Sequence, residues 1–314
     1  MKLTILDGHA VNPGDLTWDM FKKYADVTVY EQTPQESVIS RIGNSDAILL
    51  NKINITSDIL KSCKNLKYIG VLATGYNVID LEAVKNAGIC ATNIPSYSTE
   101  AVSQHVFSLI LHFTNHVALH NSSVQNGDWI KNPNFCYWLS PLQELSGKTL
   151  GILGYGNIGK QVEKIANAFN MNVLVCPHKP IKEKSNSVSF DTLLKQSDFI
   201  TLHVPLTPET NKIINSSSIN KMKDGVYIIN TARGGIVNEE DIKNAVKAKK
   251  IAGYAADVVQ EEPMKKDSPL LNVENIVLTP HIAWAPIQTR KRLLQIAENN
   301  FKSWIEGKPI NTIV

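Results

Sequence analysis

The chain has 314 residues, of which 43% are hydrophobic and 19% charged, with 32 basic against 29 acidic side chains for a formal net charge of +3. A length of this order exceeds what one hydrophobic core ordinarily serves and points to two domains. The small charge excess, spread without a long basic run, argues against a nucleic-acid partner, and no apolar window approaches the roughly 18 residues that a membrane span needs.

Strand and helix signals alternate from the start. "KLTILD" reads as a strand stopping at Asp7-Gly8, "DLTWDMFKKYA" as a helix and "VTVY" as a strand; a polar segment follows, then the strand "DAILLN". Next come the helix "ITSDILKSCKN", the strand "LKYIGVLA", a loop and helix in "TGYNVIDLEAVKNAG", and the short strand "ICATNI". Repeated strand–helix units predict a parallel sheet covered by helices. Beyond Pro95 a strongly apolar stretch, "YSTEAVSQHVFSLILHFTNHVALHNSSV", reads as one long helix or a bent pair. The irregular segment after it carries Trp129, Phe135, Tyr137 and Trp138, and is either a partner-contacting arm or a loop folded onto a core. After Gly147 a second α/β series runs to "ENIVLTPHIA", and a final helix is expected to end at Gly307 and to return to the first domain. The initial apolar run is too short for a signal peptide. Cys63, Cys90, Cys136 and Cys176 form no CxxC or zinc pattern, so free thiols in a cytoplasmic protein are expected.

"KTLGILGYGNIGKQV" contains Gly154-x-Gly156-x-x-Gly159 with a strand running in and a helix running out. That context suits a dinucleotide: Gly154 for the tight turn, Gly156 for approach to the pyrophosphate, Gly159 for helix–strand packing, and phosphates on the helix start. Tyr155, Asn157 and Ile158 complete the expected contact. The tip of the next strand reads Pro177-His178-Lys179, with no acid before Glu183. An acid there would hold ribose hydroxyls and repel a 2'-phosphate. Its absence makes NADP acceptable beside NAD, with His178 and Lys179 as candidate phosphate partners.

Three residues stand where later strands give way to loops: Arg233 after "VYIIN", Glu262 after "GYAADVV" and His281 after "NIVLTP". Ligands of open parallel sheets sit outside the carboxyl ends of strands. Reduction of a 2-oxo acid needs a fork for the substrate carboxylate, which arginine offers. It also needs a proton donor titrating near working pH, which histidine offers, and an acid behind the ring to orient it. Residue pattern alone leaves Glu261, Glu262 and Asp257 as alternatives for that acid. Thr74 and Gly75, in "VLATGYN", could present backbone N–H groups to the carboxylate or form an ordinary turn. His112, His116 and His120 recur at helical spacing on one expected face, but no glutamate completes a metal motif, and no metal is expected.

"GILGYGNIGK", "LHVPLTPET", "IINTARGGIVNEEDI", "AADVVQEEP" and "LTPHIAW" together resemble the D-isomer-specific 2-hydroxyacid dehydrogenase family over essentially the whole chain. The resemblance implies two Rossmann-like parallel-sheet domains with the active-site cleft between them. One is a discontinuous, flavodoxin-like substrate domain of residues 1–98 and 285–314. The other is a nucleotide-binding domain of residues 99–284, carrying a dimerisation arm at about residues 112–145. It implies Arg233, Glu262 and His281 as the catalytic set, selecting Glu262 over Glu261, and main-chain substrate contacts at Thr74 and Gly75. It places Asp257 on the nicotinamide carboxamide and Val102 at the cofactor end of the hinge. His203, Val204 and Pro205 are expected beside the cofactor, as are Thr231, Ala232, His281 and Ala283. It further implies a homodimer in which Trp138 reaches a substrate pocket across the subunits. Within the family, "FCYW" and "HIAW" look most like glycerate dehydrogenases, also called hydroxypyruvate reductases. The alternatives are a D-lactate or other D-2-hydroxyacid dehydrogenase, and a nucleotide-sensing, corepressor-like binding protein. Pro177 departs from the acid present in many members, so a strict NAD requirement is not implied.

Overall fold

A computed structural model describes residues 1–178 and 185–314. They divide into two compact units, Met1–Ser98 with Ala285–Val314, and Thr99–Trp284.

In the first unit, β1 (Lys2–Ile5), β2 (Asp26–Val29), β3 (Ala47–Leu50), β4 (Tyr68–Val71) and β5 (Cys90–Thr92) form a sheet in the order β2-β1-β3-β4-β5. All neighbours are parallel. β3 and β4 are buried along their whole length, as continuous apolar strands covered on both faces must be. Between β2 and β3 the sequence read only as polar, yet it holds helical turns at Gln35–Ser37 and Val38–Ile42. Only Val38 and Ile42 of this stretch are buried, too few apolar residues to display a period. The helix expected over "DLTWDMFKKYA" is a single turn, Asp19–Lys22.

The final helix, Ile287–Ile305, packs on this sheet through Phe301, whose ring lies 5.5 Å from that of Tyr68 and 6.0 Å from that of Phe21. Arg290 anchors its first turns. It is 8% exposed and donates to both carboxylate oxygens of Asp15, at 2.7 and 2.6 Å, and to the carbonyls of Val11 and Ala285. The bidentate pairing compensates burial of the guanidinium. The chain leaves the helix through Gly307 at φ +72°, a left-handed position that favours glycine.

The second unit holds β6 (Thr149–Leu153), β7 (Asn172–Cys176), β8 (Phe199–Leu202), β9 (Val226–Asn230), β10 (Ile251–Ala256) and β11 (Ile276–Leu278). Their order is β11-β10-β9-β8-β6-β7, all parallel. Strand order reverses at β6 and β8, so the carboxyl ends of these strands mark the switch point. The apolar stretch after Pro95 is a bent pair, helices Thr99–Asn115 and Val117–Gln125, with His116 between them at φ +46°. The break divides the helix that carries His112, His116 and His120, although the His112 and His116 rings stay 6.4 Å apart. His120 instead staples the segment: Nδ1–H donates to the His116 carbonyl at 2.9 Å, and Nε2 accepts from Leu139 N–H at 3.1 Å. Among the described residues no group of His, Cys, Asp and Glu is arranged to hold a metal. No described helix is long and apolar enough to cross a membrane. The aromatic segment stays outside the core: Trp129 is 50%, Phe135 92% and Trp138 68% exposed.

Candidate active site

The carboxyl ends of β6 to β11 share one edge of the second sheet, and the glycine turn opens it. Gly154 sits at φ +98°, and a Cβ there would lie 2.6 Å from the His203 carbonyl, so strand and loop touch without a side chain between them. A Cβ on Gly159 would lie 2.3 Å from the Gly154 carbonyl oxygen, whereas at Gly156 nothing lies within 4 Å. The helix Asn157–Ala168 starts at Gly156 with no side-chain cap and no acid in its first turn. An uncapped helix start beneath open space suits a pyrophosphate. The Tyr155 hydroxyl turns back to Glu163, and Ile158 packs against the core.

Two enclosed polar atoms lie along the same edge. His203 Nε2, after β8, and Thr231 Oγ1, after β9, are buried with no hydrogen-bond partner. Orphans of this kind call for a ligand or water. Burial pushes the His203 pKa down to about 3, so the ring is neutral and can only pair as a neutral donor or acceptor. Val204 is buried behind it and Pro205 is exposed. At the tip of β7, Pro177 and His178 are described, while Lys179 lies outside the described residues. The sequence showed no acid near this tip, but the loop after β8 brings one. The Glu209 carboxyl is held below its ordinary range chiefly by a Thr207 hydrogen bond, with attraction to His178 adding to it.

Arg233, Glu262 and His281 follow β9, β10 and β11, which are adjacent strands. Asn230, fully buried at the end of β9, clamps the arginine loop by accepting from Ala232 N–H at 3.1 Å and donating to the Arg233 carbonyl at 2.9 Å. A Cβ on Gly234 would fall 1.9 Å from the Val259 carbonyl carbon, so the loops after β9 and β10 are in direct contact. Glu239 reinforces that contact by accepting from Gln260 N–H at 2.7 Å. The Arg233 guanidinium donates to its neighbour's carbonyl, Ala232, at 2.7 Å and pairs with no acid among the described residues. Its planar fork is exposed.

His281 Nδ1 lies 2.8 Å from Glu262 Oε2, while Glu262 Oε1 accepts from Val259 N–H at 3.2 Å. A carboxylate only accepts, so Nδ1 carries the proton. Nε2 has no partner among the described residues and is the nitrogen available to a ligand. Asp257, 1% exposed, holds the loop: it accepts from Thr279 Oγ1 at 2.6 Å and from the N–H groups of Ile282 and Ala283 at 2.8 Å each. Sequence reading weighed Asp257 as a cofactor contact and missed this anchoring role. It also missed Asn230; in both cases the signal was a polar residue closing an apolar strand.

In the first unit, Thr74 and Gly75 follow β4. Thr74 Oγ1–H donates to the Ile94 carbonyl at 2.7 Å, and Asn93 donates to the Thr74 carbonyl at 2.8 Å. The N–H groups of Thr74 and Gly75 form no hydrogen bond among the described residues. Asp7 supports the neighbouring strand ends, accepting from Asn51 and Lys52 N–H at 2.7 and 2.6 Å, while Asn51 Nδ2 donates to the Leu72 carbonyl at 2.7 Å. Val102 is buried in the first turn of Thr99–Asn115.

A model of the D-isomer specific 2-hydroxyacid dehydrogenase NAD-binding domain matches residues 107–283. The chain is 45% identical over 320 residues to a hydroxypyruvate reductase of Blautia hydrogenotrophica, across 100% of this chain and 99% of that protein. It is 38% identical over 287 residues to a glycerate dehydrogenase of Methylorubrum extorquens, across 90% of each. Among solved structures, an acyclic imino acid reductase in complex with NADPH and D-Arg is similar with TM-score 0.87 and 30% identity, over 100% of both chains.

Proposed function

The chain belongs to the D-isomer-specific 2-hydroxyacid dehydrogenase family, and from that premise we propose that it reduces hydroxypyruvate to D-glycerate and glyoxylate to glycolate. It is an NAD(P)-dependent oxidoreductase acting on the CH–OH group of 2-hydroxy acids. The observation that carries the substrate reading is an imidazole backed by a carboxylate at 2.8 Å, its other nitrogen without a partner among the described residues, on the strand end next but one to an exposed arginine that pairs with no acid among them.

Arg233 holds the substrate carboxylate with its planar fork. A bound reduced nicotinamide supplies the hydride that the carbonyl carbon receives. His281 donates the Nε2 proton to the carbonyl oxygen as charge builds there, and takes it back in the reverse direction. Glu262 keeps Nδ1 protonated and the ring oriented, stabilising the imidazolium from which the proton departs. Gly154 to Gly159, His203, Val204, Pro205, Thr231, Ala232, Asp257 and Ala283 supply the cofactor's surroundings, and the two enclosed orphan atoms fit a polar ligand there. NADPH is accepted beside NADH: no acid stands at Pro177 itself, and His178, although attracted to Glu209 of the loop after β8, is exposed for a 2'-phosphate. The exposed aromatic arm joins two copies of the chain as a homodimer, with Trp138 directed to the partner's site.

The reading is tested by measuring kcat/KM for hydroxypyruvate, glyoxylate and pyruvate with each reduced cofactor. Hydroxypyruvate is expected to lead. Equal turnover of pyruvate overturns the substrate assignment, and an NADH preference beyond about a hundredfold overturns the cofactor assignment.

A further inference from the structure

Resting on the acid–base role proposed for His281, we infer that His105 is a positioning residue for that histidine, acting through Thr279 and the buried carboxylate of Asp257. Proton counting gives the chain of bonds its direction. Asp257 accepts from two backbone N–H groups and lies 2.6 Å from the Thr279 hydroxyl. As an acceptor-only carboxylate it takes the hydroxyl's single proton. His105 Nε2 stands 3.0 Å from the same hydroxyl, which then has only lone pairs left to offer. His105 must therefore carry a proton on Nε2. The same nitrogen is 3.6 Å from Asp257 Oδ1, so any positive charge on the ring faces a carboxylate that is 1% exposed.

The consequence for His281 is geometric. Asp257 grips the chain on both sides of it, at Thr279 and at Ile282 and Ala283. His281 itself sits at φ +55°, a left-handed conformation that its surroundings must hold. His105 belongs to another element, the helix Thr99–Asn115, and is mostly enclosed with 18% of its side chain exposed. It therefore pins the His281 loop to that helix. The chain enters and leaves this unit at Thr99 and Trp284, and the network runs between the segments next to those two points. Without the His105 donor the Thr279 hydroxyl is free to turn, Asp257 loses one of its three donors, and the imidazole loses its fixed aim. A displacement near 1 Å costs on the order of a hundredfold in rate.

The test compares T279V and H105L, which remove the hydroxyl and the donor, with T279S and H105Q, which retain them; H281A is the control. T279V and H105L are expected to lower kcat roughly tenfold to a hundredfold while substrate KM stays within about threefold. T279S and H105Q are expected to stay within about threefold of the parent kcat. In 15N imidazole spectra of the ligand-free protein, His105 is expected with its proton on Nε2. Unchanged kcat in T279V and H105L, equal loss in the conservative pair, or an Nδ1-protonated His105 overturns the inference. An active H281A overturns the acid–base reading itself, and is told apart because it needs no change at His105 or Thr279.

Discussion

At the scale of single residues, the site pairs groups whose protonation is dictated by what they face. His281 keeps its proton on Nδ1 because Glu262 can only accept, which leaves Nε2 for the substrate oxygen in the reaction proposed above. H281A is expected to lower kcat by about two to four orders of magnitude while cofactor Kd changes little, as measured by stopped-flow and by quenching of cofactor fluorescence. Near-normal kcat at every pH would refute the assignment. His203 makes a separate prediction about stability. Its folded pKa, about 3, lies below the ordinary 6.5. The unfolded chain thus binds this proton as pH falls through 6.5 while the native protein refuses it until about 3. Its contribution to stability is complete above that window and declines as pH falls across it. Urea midpoints of the ligand-free protein should fall less steeply over this window in H203F than in the parent. Parallel slopes would mean that the ring is not enclosed.

At the scale of elements, the glycine turn separates folding from binding. A methyl group at Gly156 meets nothing within 4 Å, whereas at Gly159 it meets the Gly154 carbonyl oxygen at 2.3 Å. G156A should therefore keep its Tm and lose cofactor affinity by about tenfold or more, because the backbone is held away from the phosphates. G159A should lose roughly 1–3 kcal/mol of stability through overpacking. Calorimetry and cofactor titration of the two variants check the contrast, and equal effects on both quantities would end it. Elements also show where a sequence is legible. The strand–turn–helix around Gly154 announces itself because apolar run, glycines and helical period agree locally. The turn at Val38–Ile42 does not, since two buried residues make no pattern. The break at His116 is likewise invisible to spacing: the apolar period continues through Val117 and only the φ of one residue changes.

For the molecule as a whole, the aromatic arm is the feature that asks for a partner. Val117, Ile130, Phe135 and Trp138 are 70%, 89%, 92% and 68% exposed, an apolar concentration that water disfavours. A homodimer closed through this arm predicts that F135D and W138D sediment as monomers at concentrations where the parent is dimeric. W138D should also show a raised KM for hydroxypyruvate. A parent chain that sediments as a monomer at micromolar concentration would remove the basis for both.

The family resemblance, and not the residue pattern, selected Glu262. By itself the sequence determined the alternation of strands and helices and the glycine turn, and it offered Arg233 and His281 as candidate site residues. Each of these is written in local pattern: period, glycine spacing, and a charged residue where an apolar strand stops. Only the tertiary structure decided what supports them. Asn230 clamps the arginine loop, Asp257 grips both flanks of His281, and His105 reaches Thr279 across 174 positions of sequence. The Asn230 clamp is local, but partners as far apart as Asp257 and Ala283, or His105 and Thr279, share no local signal. Their pairing exists only once six parallel strands bring their carboxyl ends to one edge, where buried polar groups must find each other or remain unsatisfied.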